Sequence, residues 1–260
     1  MLRLWKLTLF FLLCLVLALL INLPVQHVLP YVKLPPNVRL AGIDGSLFSG
    51  RVEELRIRRF PMRGIRYSYM PSCLPMLKLC YYIDYDEGQI QLAYDLLNGD
   101  TEVSHSRVEY PVTTLLAQLP MPALVKPTGR LQLEIDDLSM QQNKLVSVNG
   151  RLTWRDLGFD QDGSSVNIGD YQIEISGDVK AYNLTFTDLD AALDLSGDGS
   201  ISAAGNFEVD VTIMTKAGLD SQVKSILNLV AVRSGDNANK YRIEQKGRMP
   251  ANITRQLFRQ

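Results

Sequence analysis

Histidine is nearly missing from these 260 residues, with two in the chain, and cysteine and tryptophan are scarce at three and two. Two histidines leave little general-base capacity, and His105 within Val103-Ser104-His105-Ser106 reads most simply as an outward strand residue. There is no G-x-S-x-G, no H-E-x-x-H, no P-loop and no G-x-G-x-x-G; Gly197-Asp198-Gly199-Ser200 lacks the helix that a nucleotide-binding turn must open into. An excess of positive charge is missing too. Lys and Arg number 27 against 28 Asp and Glu, which removes the basic footprint of a nucleic-acid binder. Acidic residues are absent from the first 43 positions, Asp44 being the first.

What stands there instead is apolar. Nineteen of the first 23 residues are hydrophobic, and residues 7–23 carry no charge. Seventeen residues is the short end for a helix crossing the ~30 Å hydrocarbon core. Arg3, Lys6 and the terminal amine precede this run, and the first basic residue after it is Lys33 apart from His27. The asymmetry places residues 1–6 in the cytoplasm, residues 7–23 in the membrane and everything after Pro24 outside. A cleaved signal peptide needs small residues in an A-x-A-like pattern, and Leu19-Leu20-Ile21-Asn22-Leu23-Pro24 offers none, so an uncleaved anchor is expected. Residues 24–36 hold four prolines and read as a stiff spacer. Residues 37–260 then form one exported domain.

Cys14 lies inside the apolar run, whereas Cys73 and Cys80 lie in the exported part, flanked by Pro71 and Pro75. A disulfide between them is expected, since export puts them in an oxidising compartment and C-x6-C is neither a redox nor a zinc spacing. Charge is uneven along the exported part. Residues 24–70 hold eight basic and three acidic residues, a net of +5, and residues 71–260 a net of −8. The basic cluster is either a solvated strand face or a face turned to acidic headgroups or an acidic partner.

The secondary-structure signal is strand. Alternation is plain at 52–57, 131–135, 171–175 and 207–213. Asn149-Gly150, Ser176-Gly177-Asp178, Gly197-Asp198-Gly199 and Gly205-Asn206 read as tight turns between them, so the expected fold is mostly β, an antiparallel meander or curved sheet. Two short helices interrupt it: Pro111 followed by Val112, Leu115, Leu116 and Leu119, and Leu219, Val223, Ile226, Leu227 and Val230 at helical spacing. A Gly opening a strand with Leu two positions on recurs at Gly45, Gly129 and Gly150, suggesting one architecture repeated rather than two unlike domains. Asp136-Asp137 and Asp188 with Asp190 are either a calcium or acid-pair site or, more simply, solubilising turn and edge residues. Tyr67, Tyr69, Tyr81, Tyr82 and Tyr85 form an aromatic cluster that reads as strand packing beside the disulfide, with a ligand site as the alternative.

Residues 40–55, LAGIDGSLFSGRVEEL, following a short anchor and a proline-rich spacer, resemble the opening block of the type II secretion system protein N family (general secretion pathway protein N). That family shows G-T-L-W-S-G before a short apolar strand; here Gly45, Leu47 and Gly50 match, and Ser46 and Phe48 replace Thr and Trp. Residues 65–74 resemble its strand ending in an aromatic, a Pro and a Leu, with Tyr67 where Trp is common and Pro71 after it. Gly150-Arg151-Leu152-Thr153-Trp154 resembles its later G-x-L-x-W strand. The similarity runs in order from the anchor to about Gly247. It implies a single-pass component of the bacterial inner membrane with a periplasmic domain, working in export of folded proteins across the outer membrane with other secretion subunits as partners, with no catalytic residues, cofactor or metal. Members also resemble the AsmA-like envelope proteins, whose curved sheets are thought to hold lipid in a groove. Lipid handling is therefore the alternative function.

Overall fold

The computed structural model describes residues 5, 8–12, 15, 22–31, 38–57, 60–116, 126–141, 144–161, 164–216, 219, 221–234 and 239–249. It divides into two compact units, Met1–Gln89 and Ile90–Gln260, where the sequence suggests a single exported domain.

In the first unit β1 (Val38–Gly45), β2 (Ser49–Ile57), β3 (Phe60–Met70) and β4 (Lys78–Tyr85) pair antiparallel in chain order. Ile43 lies opposite Val52 and Val52 opposite Ile65, and both of the latter are buried. On the other face Asp44, Arg51, Arg66 and Asp84 lie opposite one another in turn. Arg66 pairs with Asp84 at 2.8 Å, and Arg56 hydrogen-bonds Glu54 through Nε at 3.0 Å. These described members of the basic cluster therefore lie on an exposed strand face among carboxylates; Arg58 and Arg59 fall outside the described residues.

The expected spacer is not extended where it is described. Pro24 makes an isolated antiparallel bridge to Ser46, α1 (Val25–Val28) and a 3-10 turn (Leu29–Tyr31) follow, and the Gln26 amide donates to the Ile43 carbonyl at 3.0 Å. Proline at 24 and 30 stops the chain from continuing as a strand, but its fixed φ suits the first turn of a helix, and the turn packs on β1. Most of residues 7–23 lie outside the described residues. Among those described, no helix is long and apolar enough to cross a membrane.

β5 (Gly88–Asp95) spans the division between units. The second unit holds β6 (Thr101–Pro111), α2 (Val112–Leu116), β7 (Lys126–Gln141), β8 (Lys144–Gln161), β9 (Ser164–Asp178), β10 (Ala181–Ala191), β11 (Leu193–Ser202), β12 (Asn206–Thr215), α3 (Ser221–Val230), β13 (Val232–Arg233) and β14 (Lys240–Arg248). Strands β6 to β12 pair antiparallel with their chain neighbours, and β14 pairs with both β12 and β13. Period-2 alternation across this register lays apolar residues in rows. One row runs Val108, Leu133, Leu152, Ile173, Phe186, Gly197, Val211, Ile243, each opposite the next. The adjacent polar row, on the other face, runs Arg107, Glu134, Arg151, Glu174, Thr185, Asp198, Asp210, Glu244. Helix α3 covers part of the apolar face: Val223 and Leu227 are buried with Ile168, Tyr171, Leu193, Val211, Ile213 and Tyr241.

Two expected turns, and one glycine expected to open a strand, are strand interior. Asn149-Gly150 lies within β8, Gly197-Asp198-Gly199 within β11, and Gly129 within β7. Glycine is there for close approach of the neighbouring strand. A Cβ on Gly197 would meet the Asp210 carbonyl at 2.3 Å, and one on Gly150 the Glu134 carbonyl at 2.5 Å. Gly129, at φ +103, sits where the β7–β8 register slips between Thr128 and Arg130. Gly45 is the last residue of β1, so none of the three recurring glycines opens a strand.

Candidate functional site

Of the residues singled out from the sequence, Gly45, Leu47, Phe48, Gly50, Tyr67, Pro71, Cys73 and Cys80 lie at one end of the first unit. Ser46-Leu47-Phe48 is the turn joining β1 to β2, closed by the Ser46 N–H donating to the Ser49 carbonyl at 2.8 Å. Both flanking glycines are required by geometry. Gly45 sits at φ +111, where a Cβ would meet Gly50 Cα at 2.5 Å; at Gly50 a Cβ would meet the Asp44 carbonyl at 2.3 Å and the Tyr67 hydroxyl at 2.5 Å. With no side chain at 50, Tyr67 crosses β2 and its hydroxyl donates to the Ser46 carbonyl at 2.6 Å. From β4 the Tyr81 hydroxyl donates to the Leu47 carbonyl at 3.2 Å, and the Tyr69 N–H donates to the Phe48 carbonyl at 2.6 Å. The tip's carbonyls, which no ladder satisfies, are thus taken up by the neighbouring strands. Phe48 packs edge-on against Tyr69 with centroids 5.2 Å apart, and Tyr69 against Tyr81 at 5.7 Å. Such pairs add about 0.5–1.5 kcal/mol each beyond their burial. Burial pushes the Tyr67 and Tyr81 hydroxyls above the usual tyrosine range, with the Tyr81 ring adding to the effect on Tyr67. They stay protonated donors at neutral pH.

Beside this clamp a 3-10 turn, Pro71–Met76, links β3 to β4. Cys73 and Cys80 are joined across it, Cα to Cα 6.0 Å, with Cys80 buried opposite Met70. Leu77 closes the turn at φ +56, its N–H donating to the Leu74 carbonyl at 2.9 Å. A left-handed conformation costs a residue with a Cβ about 1–2 kcal/mol, so the surroundings hold it there. The aromatic cluster is in this respect strand packing beside the disulfide. Tyr69 and Tyr81 were visible in the sequence only as members of that cluster. That their hydroxyl and amide groups serve the turn 20 to 35 residues earlier depends on sheet register, which composition does not carry.

Gly150, Leu152 and Trp154 lie in the second unit, on β8, and do not belong to this cluster. Leu152 is in the apolar row between Leu133 and Ile173, and the Trp154 indole donates to the Thr128 carbonyl at 3.0 Å, bridging the register slip at Gly129. Their role is in the sheet.

The acidic candidates are spread out. Asp136 lies 3.8 Å from Arg151, the Asp188 carboxylate accepts the Leu195 N–H at 2.8 Å, and Asp190 sits opposite Asp170. Asp188 stands at the register slip between it and Asp190, inside β10 with β9 and β11 on either side, and so is not the turn or edge residue expected from the sequence. His105 is exposed at φ +46, between Ser104 and Ser106, which keep a continuous register with Asp137 and Ile135 of β7. Among the described residues no three His, Cys, Asp or Glu side chains gather as metal ligands would. The polar face of the second unit has a depression lined by Ser196, Asp198, Asp210, Thr212, Lys240 and Arg242. Two of its charges are paired with each other: Arg242 donates to Asp210 at 2.8 Å, holding that carboxyl below the usual range, and the Asp198 carboxylate accepts from the Thr185 hydroxyl at 3.3 Å.

Residues 36–243 match the family model described as type II secretion system (T2SS), protein N. A relative named type II secretion system protein N, from Aeromonas hydrophila, is 24% identical over 169 residues, which is 61% of this chain and 65% of that relative's length. No solved structure matches. The family match takes in the clamped tip, the disulfide turn and the long sheet of the second unit in one span, and the chain belongs to the type II secretion system protein N family.

Proposed function

We propose that this chain is an inner-membrane-anchored, periplasmic subunit of the type II secretion apparatus, acting through protein–protein contacts and not by catalysis in the export of folded proteins. The family match across both units carries this reading. The charge-free run at 7–23 behind Arg3 and Lys6 supports the anchor and its orientation. Contact is favoured over chemistry because the ordered features are scaffold features: tyrosines spent on turn carbonyls, aspartates on register slips, ion pairs on a polar sheet face. Sheet edges are the surfaces such a subunit has to offer. Strand β13 pairs only with Tyr241 and Arg242 of β14, so Ile243–Arg248 has no described strand on that side. Deleting the gene should leave exoproteins folded and trapped in the periplasm. Unchanged release would overturn the reading.

One observation favours lipid handling as a second reading, namely the apolar row across eight strands, whose Leu133, Leu152, Ile173 and Phe186 are only half-buried. Organic extraction of the purified chain should then yield bound lipid by mass spectrometry, and a lipid-free extract would remove it.

A further inference from the structure

Met1–Gln89 presents an apolar, uncharged knob at one end of its sheet. From Pro71 to Leu77 the sequence reads PSCLPML, and Leu74, Met76 and Leu77 are 53, 69 and 48% exposed. Single exposed apolar residues are ordinary on protein surfaces. Three within four positions are a different matter, on a turn that a disulfide and a left-handed leucine keep from folding inward.

The position of this knob is set by register. β1 ends at Gly45, β2 begins at Ser49, β3 ends at Met70 and β4 begins at Lys78, so the β1–β2 tip and the Pro71–Met76 turn project from the same end of the sheet. The chain enters at that end as well. Pro24, the residue after the apolar run, bridges Ser46 of the tip. Bridged residues lie roughly 5 Å apart, and the headgroup layer on each side of the hydrocarbon is about 5–8 Å deep. If residues 7–23 span the bilayer, the tip begins inside the headgroup layer. The turn lies two to three strand spacings along the sheet, roughly 10–15 Å, from the point of entry. Behind it stand Phe48, Tyr69 and Tyr81, amphipathic rings of the type enriched at membrane interfaces, and Lys78 follows.

We infer that the Pro71–Leu77 turn is a second membrane contact: Leu74, Met76 and Leu77 insert into the interface of the leaflet that holds the anchor and fix the tilt of the first unit on the bilayer. The inference rests on the anchored reading above. A single span leaves a domain free to swivel, and a rigid apolar knob beside the exit point removes that freedom at the cost of little area.

The test uses the full chain reconstituted into phosphatidylethanolamine–phosphatidylglycerol vesicles containing brominated lipid. Trp5→Phe removes the fluorophore nearest the anchor, and Trp154 stays as a reference common to all variants. Met76→Trp and, separately, Leu74→Trp report on the turn; Ile57→Trp, 41% exposed at the opposite end of β2, is the control. The new tryptophans at 76 and 74 should be quenched about threefold more than that at 57, as interfacial side chains are. Equal quenching at all three positions overturns the inference. Using two separate turn variants keeps the test valid should one substitution misfold the turn. Carbonate extraction of the same vesicles reads the anchor independently. Release of the chain refutes the anchored reading, while selective quenching before extraction would still show the turn on the lipid.

Discussion

The two units hold their strands in place by different means. In the second, long strands in register build apolar rows, and helix α3 closes on them, so that eight of the buried side chains form one cluster. In the first, four strands of 8–11 residues bury far less, with Val52, Ile65, Cys80 and Tyr85 as the buried apolar side chains among the described residues. Side-chain-to-backbone bonds from Tyr67 and Tyr81, a short aromatic stack and a disulfide compensate. A small sheet that cannot bury enough area is held by staples, and a large one by its core. Substitutions should therefore separate cleanly by unit, and hydrogen exchange read peptide by peptide is the measurement that separates them.

The largest effect belongs to the core. Leu227→Ala removes buried methyl groups from the contact between α3 and the apolar face, a change that costs about 2–5 kcal/mol where the site cannot collapse. Exchange protection should fall throughout β9, β11, β12 and β14 while β1–β4 keep theirs. A uniform loss in both units would show that they are held by one shared core and not by different means.

Replacing Cys73 and Cys80 together by Ser should act on the first unit alone. A loop of this length contributes about 2.5 kcal/mol by restricting the unfolded chain. Protection should drop in β3, β4 and the Pro71–Met76 turn, and the thiols of the unaltered chain should resist maleimide until a reductant is added. Labelling of both cysteines without reductant would mean that the first unit stands without its staple.

The two units also differ in how far the sequence disclosed them. Alternation at 207–213 and 171–175 located β12 and β9, and helical spacing located α3, because core-facing periodicity is a local signal. The strand ends were not legible. Glycine at 150 and 197 has the composition of a turn, yet neighbouring strands need those places empty, a demand that arises only after pairing. In the first unit the motif residues Gly45, Gly50, Tyr67 and Pro71 and both cysteines were picked out from the sequence. What the motif does was not, because the bond from Tyr67 to the Ser46 carbonyl spans 21 positions and requires Gly50 to be bare. The division between units falls within β5, a strand like the others, with no proline, glycine run or charge shift to announce it.

The smallest effect tests whether the first unit's economy leaves a flaw. Glu87, in the turn after β4, has a carboxylate oxygen that is buried without a hydrogen-bond partner. Burial raises its pKa, and Asp86 adds to the rise, against lowering by its own backbone amide and Arg63. A carboxyl whose folded pKa lies above its unfolded one favours the fold in its protonated form. That contribution is complete below the unfolded value of 4.5 and is lost as pH rises through the folded one. At neutral pH Glu87 is therefore a cost, and Glu87→Gln, which keeps the shape and cannot ionise, should raise Tm at pH 7 by roughly 1–2 °C. At pH 4, where Glu87 is largely protonated in both states, the difference should vanish. A gain of equal size at both pH values would place its origin in packing or in the turn, and the carboxylate's burial would then not be the cost.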